Sequence, residues 1–366
     1  MTIPCAIQPR ILVADDQEDL IDALRLLLKA GGIEMEAASS PQAALEAVAD
    51  RPFDLLLMDL NYTCDTTSGR EGIDLLARVQ ELDATLPVVV MTGWGSVDLA
   101  VEAMRRGVRD FVQKPWDNAH LLTTLRNEIE QGRLRRLQLE IEQRELDEAR
   151  RIQRRLLPAR IPAIDGFEIA SDWQPAAGVG GDCYDAVAFG PSRLGLAIAD
   201  VVGKGIPAAL LMSNLQATVR AFATESTQPA ELCQQVNRIL CGHIAEGRFI
   251  SFLYCVLDAD DLTVSYANAG HHPPLLFHED GGVEWLTEGG AVLGVFPEGT
   301  YRQDRLGLRS GDRLVLYTDG ITEARDGQGE EFGEQRLVSL VAASRACSAS
   351  AIQTRVTESV ASFAGG

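Results

Sequence analysis

With 366 residues the chain exceeds the usual single-core size, and its 46% hydrophobic and 23% charged content is that of an ordinary globular protein, so two domains are expected. A net charge of −20 argues against nucleic acid as a direct ligand and suits bound divalent metals or basic protein partners. Seven scattered cysteines without a CxxC pair argue against zinc or a disulfide framework; with no apolar run of bilayer length and no signal-peptide core in MTIPCAIQPR, a cytoplasmic protein without membrane contact is expected.

Apolar runs at 11–14, 33–38, 53–60, 86–91 and 108–112 alternate with helical patterns at 19–30, 41–50, 71–82 and 96–106. Short connections and Val/Leu-rich runs predict an α/β fold: a five-stranded, doubly wound parallel sheet with helices on both faces. Functional groups in such sheets gather outside the carboxyl ends of the strands. Those ends read Asp15 and Asp16, then Asp59, Thr92, and Lys114 before Pro115. Carboxylates repel one another, so an apolar strand driven into adjacent aspartates, as in ILVADD (11–16), points to a cation or phosphoryl group nearby. Three carboxylates suit one magnesium ion, and a hydroxyl and an ammonium suit a phosphoryl group carried on one of them. Lysine usage agrees. Against 30 arginines stand only Lys29, Lys114 and Lys204, and a compact ammonium in such a chain marks a specific need.

This constellation resembles a two-component receiver domain, over residues 8–117. The resemblance implies that Asp59 is the phosphoacceptor and that Asp15 and Asp16, with the Asn61 carbonyl, hold magnesium. It makes Thr92 the switch hydroxyl, Lys114 the phosphate-binding lysine and Phe111 the switch aromatic. Any one of these alone would read as a cap or surface polar group; together, five of them at four strand ends, they do not. Receivers usually continue after the acceptor with a Met-Pro pair and a glycine in one short loop. Here NYTCDTTSGREG is longer and polar, with Tyr62 and Thr63 at the Met-Pro positions.

Residues 117–157 contain no proline and one glycine, Gly132, and predict a long helix ended by Pro158. The linker is placed at 118–160. Leu125, Ile129, Leu134, Leu137, Ile141, Leu146, Ile152 and Leu156 form an apolar stripe without a clean heptad. Two readings remain: a connecting helix packed on its neighbours, or a coiled coil that makes a homodimer. From 133 to 160 nine arginines face five acids, a basic stretch in an acidic chain.

Beyond 160 the pattern is mixed. Strands are expected at 167–173, 194–200, 250–257, 262–267 and 313–318, and helices at 206–223, 229–245 and 334–345. Strands without long crossovers imply antiparallel pairing and an α+β domain. Two runs again end in aspartate, LGLAIADVVGKG (194–205) and RLVLYTDG (313–320). Phosphomonoester hydrolysis needs charge neutralisation and an activated water, which paired hard cations on oxygen ligands provide. Asp182, Asp200 and Asp319, each beside small or turn residues, are candidate ligands; each alone could be an N-cap or Asx-turn.

ARRIQRRLLP (149–158), PAAGVGGDCYD (175–185), ADVVGKGIPAALLMS (199–213), NAGHHPPLL (268–276) and VLYTDGITEA (315–324) together resemble a SpoIIE-type serine phosphatase domain of the PPM class, placed at 161–366. The resemblance implies an antiparallel β-sandwich flanked by helices and two manganese or magnesium ions. Asp200 would bridge both with help from the Val201 carbonyl, Asp182 would complete one and Asp319 the other. Lys204 reads as a substrate contact or a turn cover, and His271 and His272 as orienting loop residues rather than ligands.

The expectation is a response regulator. A histidine kinase phosphorylates Asp59, the helix transmits the change, and the second domain dephosphorylates a phosphoserine protein. By resemblance that substrate is a STAS-type anti-sigma factor antagonist. In the family a closing strand beginning with Asp-Asp follows the last helix and adds a metal ligand; none follows VTESVASFAGG, so weak turnover is expected. The rival expectation is a phosphatase-fold binding protein that sequesters or delivers a partner.

Overall fold

The five apolar runs of the N-terminal half become the parallel strands β1 (Arg10–Ala14), β2 (Glu34–Ala38), β3 (Leu55–Asp59), β4 (Val88–Thr92) and β5 (Asp110–Gln113), ordered β2-β1-β3-β4-β5. This computed structural model describes residues 8–62, 70–93, 102–175, 178–244 and 247–365. Side chains alternate across the sheet. Leu12, Leu56, Met58, Val88 and Val90 pack with Leu45, Ile73 and Leu76 of α2 (Pro41–Asp50) and α3 (Arg70–Leu82). Ile11, Val13, Leu55, Leu57, Val89 and Met91 pack on the opposite face with Leu24 and Leu28 of α1 (Glu18–Ala30). Gly72 lets α3 approach the β3 exit: a Cβ there would lie 2.5 Å from Leu60 Cα. Of the helix expected at 96–106, residues 102–105 are helical, and 94–101 lie outside the described residues.

The chain divides into two compact units, Met1–Arg144 and Glu145–Gly366. Helix α4 (Asn118–Leu156) contributes to both. Asp117 caps it by accepting from His120 N, and its first turns bury Leu121, Leu125 and Ile129 against the face that holds α1. Arg133 then clasps Asp54 with two hydrogen bonds of 2.8 and 2.9 Å. The apolar stripe does not continue as one buried face. Leu134, Leu137, Leu139 and Ile141 are exposed, and near the other end Ile152 is exposed while Gln153 beside it is buried.

The second unit is an antiparallel β-sandwich between helices. One sheet runs β12 (Gly289–Gly290), β9 (Thr263–Ala269), β8 (Ile250–Asp258), β7 (Arg193–Val201), β6 (Cys183–Ala188), with β13 (Asp304–Gly307) also on β9. The other runs β11 (Val283–Trp285), β10 (Leu275–Phe277), β14 (Arg313–Val315). All pairs are antiparallel except the two-residue β12–β9 contact. Strand β8 shows the layering: Leu253, Cys255 and Leu257 point between the sheets, while Phe252, Tyr254 and Val256 pack under α5 (Ile206–Phe222) and α6 (Pro229–Leu240). Leu275 and Phe277 face α8 (Gly333–Ala342) and α9 (Ala349–Ala364), which follow the short α7 (Asp319–Thr322).

One expected strand is absent. Around 167–173 only an isolated bridge, Ile164 to Phe167, forms. Phe167 and Ile169 pack against the inner core without a ladder partner, because β6 occupies the β7 edge. The β6 sequence CYDAVA, short of branched residues, gives a weak strand signal. Helix α6 stops at Leu240, five residues before its expected end. Among the described residues no helix is long and apolar enough to cross a membrane.

Candidate functional site

Because β1 and β3 adjoin, Asp15 and Asp59 meet at the carboxyl edge of the parallel sheet, both buried. Lys114 enters from beyond β5, and its main-chain nitrogen donates to Thr92 O at 2.7 Å. Its Nζ lies 2.8 Å from Asp15 Oδ2 and 2.7 Å from Asp59 Oδ2. Burial pushes the Asp15 carboxyl above its usual range, although Lys114 pulls it down. Burial also works against the charge of Lys114, but its hydrogen bonds to the two carboxylates outweigh this and hold the ammonium above its ordinary value. Lys114 is therefore an ammonium held between two carboxylates.

Asp16 follows, half-buried, and Thr92 ends β4 with its hydroxyl on Gly93 O. Phe111 on β5 is half-buried against the α2–α3 core. Asn61 donates its main-chain N–H to Asp59 Oδ1, and its own side-chain oxygen is a buried acceptor without a hydrogen bond. Two carboxylates on one ammonium, beside such an orphaned oxygen, fit a hard divalent cation. Tyr62 was not singled out for a role by the sequence. It is buried, and its hydroxyl donates to Ala14 O at 3.2 Å, tying the β3 exit to the residue before Asp15. Thr63 lies outside the described residues.

The second constellation assembles at one end of the six-stranded sheet. The β6–β7 register pairs Cys183 with Ala199, which brings Asp182 level with Asp200. Asp319 opens α7, directly after the extended segment that follows β14. One carboxylate oxygen from each of Asp182, Asp200 and Asp319 lies within 4.8 Å of the others. Burial first, then a proton shared with Asp182 and the charges of Asp182, Asp319 and Glu323, push the Asp200 carboxyl up to about 8. Half-buried carboxylates crowded together, with only oxygen donors, fit hard divalent ions of the magnesium or manganese kind. The Val201 carbonyl faces Gly181, where a Cβ would stand 2.6 Å from it.

Supporting contacts that sequence reasoning missed surround the three aspartates. Thr318 donates to Asp182 Oδ2 at 2.7 Å, and Trp173 Nε1 to Asp182 O at 2.9 Å. Gln153 binds both main-chain groups of Gly180. The YTDG and ARRIQ strings contain Thr318 and Gln153, but nothing in one sequence says where their side chains go. Lys204 is exposed on the turn between β7 and α5. His271 is buried and braced rather than free to ligate, and His272 is half-exposed beside the Tyr317 ring.

Residues 11–126 match the family described as response regulator receiver domain, and residues 190–366 the family described as stage II sporulation protein E (SpoIIE). The chain is 33% identical to phosphoserine phosphatase RsbU of Bacillus subtilis, over 54% of this chain and 58% of that protein. It is 31% identical to protein IcfG of Synechocystis sp., over 54% of this chain and 36% of that protein. The SiaA-PP2C domain of Pseudomonas aeruginosa shares the fold, with a TM-score of 0.54 and 23% identity over 63% of this chain and 92% of that domain. The chain thus spans between about a third and three fifths of these curated relatives.

Proposed function

We propose that this chain, a receiver domain joined to a SpoIIE-type domain of the PPM class, is a cytoplasmic response regulator whose Asp59 phosphorylation controls a metal-dependent protein serine/threonine phosphatase. The convergence of Asp182, Asp200 and Asp319 carries this reading. Asp200 would bridge two manganese or magnesium ions with the Val201 carbonyl, while Asp182 and Asp319 would each complete one. When bound, such ions neutralise phosphate charge and activate water for attack on phosphorus. The chain's own residues orient the ligands: Thr318 fixes the Asp182 carboxylate, and Gly181 allows the close approach to Val201.

In the receiver, Asp59 would accept the phosphoryl group from a histidine kinase, with Asp15, Asp16 and the Asn61 carbonyl holding magnesium. Lys114, already on Asp59, would move to a phosphoryl oxygen; Thr92 would close on it, and Phe111 would follow. The boundaries proposed are 8–117, 118–160 and 161–366. The substrate is a phosphoserine protein, in keeping with the likeness to phosphoserine phosphatase RsbU, and the SpoIIE-type motifs of the sequence favour a STAS-type anti-sigma factor antagonist. Exposed Leu134, Leu137 and Ile141, at heptad-like spacing on α4, support a homodimer through that helix.

The test is release of phosphate from a phosphoserine protein with manganese present. The wild-type chain is expected to turn over, and Asp200→Asn and Asp319→Asn to lose at least about tenfold. Full activity in a chelator, or in both variants, would sink the two-ion reading.

A further inference from the structure

Gln153 is the one polar side chain of the helix segment 145–156 that is buried, at 3% exposure, whereas Ile152 beside it is 54% exposed. A helix that buries an amide and leaves an isoleucine in water has a use for the amide. Its Nε2 donates to Gly180 O at 2.6 Å, and its Oε1 accepts from Gly180 N at 3.1 Å. The carboxamide therefore pairs with one peptide residue as a neighbouring strand would. Its Nε2 also lies 3.6 Å from Met212 Sδ on α5.

Gly180 stands two residues before Asp182, and the 178–182 loop is gripped on both sides. Toward the helix, Gly178 sits against Leu146, where a Cβ would lie 3.1 Å from the leucine side chain. Toward the sheet, Gly181 has no room for a Cβ beside the Val201 carbonyl. No other residue type fits the 153 position as well. Asparagine is one methylene too short, glutamate would set a carboxylate oxygen against Gly180 O, and methionine keeps the volume but offers no donor.

We infer that Gln153 is a positioning residue for Asp182, holding the 178–182 loop so that this carboxylate stands at the distance from Asp200 and Asp319 that a shared cation requires. The inference rests on the reading of Asp182 as a metal ligand. Loss of the amide leaves the half-buried N–H and C=O of Gly180 without this partner and lets the loop relax away from Val201. Cation affinity then falls before the fold does, as it does when the residues that orient metal ligands are removed.

The experiment measures manganese binding to the full-length chain by titration calorimetry, alongside thermal midpoints without metal. Gln153→Met and Gln153→Glu are expected to bind manganese at least about tenfold more weakly. At saturating manganese, turnover should return to within about threefold of wild type, which a general loss of structure would not allow. Gln216→Leu is the control: this buried amide holds the same helix end and strand β6 through Leu156 O and Asp185 but, among the described residues, makes no hydrogen bond to the 178–182 loop. It should lower the thermal midpoint and leave manganese affinity unchanged. Wild-type affinity in folded Gln153→Met, or an equal loss in Gln216→Leu, overturns the inference. Asp182→Asn separates the underlying reading: if it binds manganese as wild type does, the ligand assignment fails and the inference with it.

Discussion

His271 Nε2 lies 3.1 Å from the main-chain oxygen of Tyr317. A carbonyl only accepts, so Nε2 carries the proton and Nδ1 is left to accept from Ser251 Oγ, 2.8 Å away. Ser251 is the register partner of Asp200, and Tyr317 stands two residues before Asp319. One neutral imidazole thus joins the segments that carry two of the three clustered carboxylates. Asn268 holds the loop around it, accepting from His271 N at 2.7 Å and donating to His271 O at 3.0 Å. The NAGHH string is therefore a brace built into a turn, with Gly270 at φ +69° where no side chain fits beside Val292.

Burial, together with the neighbouring His272, lowers the His271 pKa to about 4. The unfolded chain binds a proton near pH 6.5 that the folded chain refuses, so this contribution to stability is whole above pH 6.5 and is lost as pH falls toward 4. The gap is worth on the order of 3 kcal/mol. Denaturant midpoints measured from pH 7 to pH 4 should fall, and His271→Gln should flatten the part of that fall lying between 6.5 and 4. A variant whose pH profile parallels wild type would assign the acid lability elsewhere.

Lys114 bridges Asp15 and the buried Asp59, so the charge of both carboxylates is compensated by one ammonium. Acetyl phosphate with magnesium should add one labile phosphoryl group to the chain, seen as a mass shift that Asp59→Asn abolishes. Lys114→Ala should leave labelling slower and thermal stability lower, since it strands two carboxylates near one another. Equal labelling of wild type and Asp59→Asn is the outcome that removes Asp59 from the role.

Tyr62 occupies a position where the resemblance led one to expect methionine. Its ring fills the same core, and its hydroxyl adds a bond to Ala14 O. Burial, with Asp59, Asp15 and Asp16 nearby, drives its ionisation far upward, so it stays a donor at any working pH. Tyr62→Phe should cost about 1 kcal/mol in urea unfolding, the usual net worth of such a bond, and Tyr62→Ala several times more through the cavity. If the phenylalanine variant is as stable as wild type, the bond to Ala14 contributes nothing.

The parallel sheet was legible to within two residues at every strand end, because buried strands bounded by amphipathic helices leave a strong periodic record. The expected run 33–38 became Glu34–Ala38, and 41–50 became Pro41–Asp50 without change. The second unit was less so. Its β6 reads CYDAVA, and β10 through β14 are two to four residues long, too short for any period to show. Asp200 and Asp319 could be picked out because each ends or follows a strand signal, whereas Asp182 stood out only through its glycine neighbours and the PAAGVGGDCYD resemblance. What orients them could not: Thr318, Trp173 and Gln153 act on residues 136, 9 and 27 positions away in sequence.

Asp200 offers the sharpest test of the cluster. Its carboxyl, raised to about 8 mainly by burial and then by Asp182, must lose a proton before a cation can bind. In the metal-free chain the folded state therefore holds a proton that the unfolded state releases near pH 3.8. By the linkage relation its stability declines as pH rises from about 4 to about 8. Manganese affinity should run the other way, strengthening by up to about tenfold per pH unit below 8 and levelling above it, with one proton released per ion in calorimetry across two buffers. Asp200→Asn should weaken binding at every pH and remove that slope, because the amide has no proton to exchange. A slope that survives in Asp200→Asn would place the competing proton on Asp182 or Asp319, and an affinity independent of pH in the wild type would mean that the cluster is already ionised without metal.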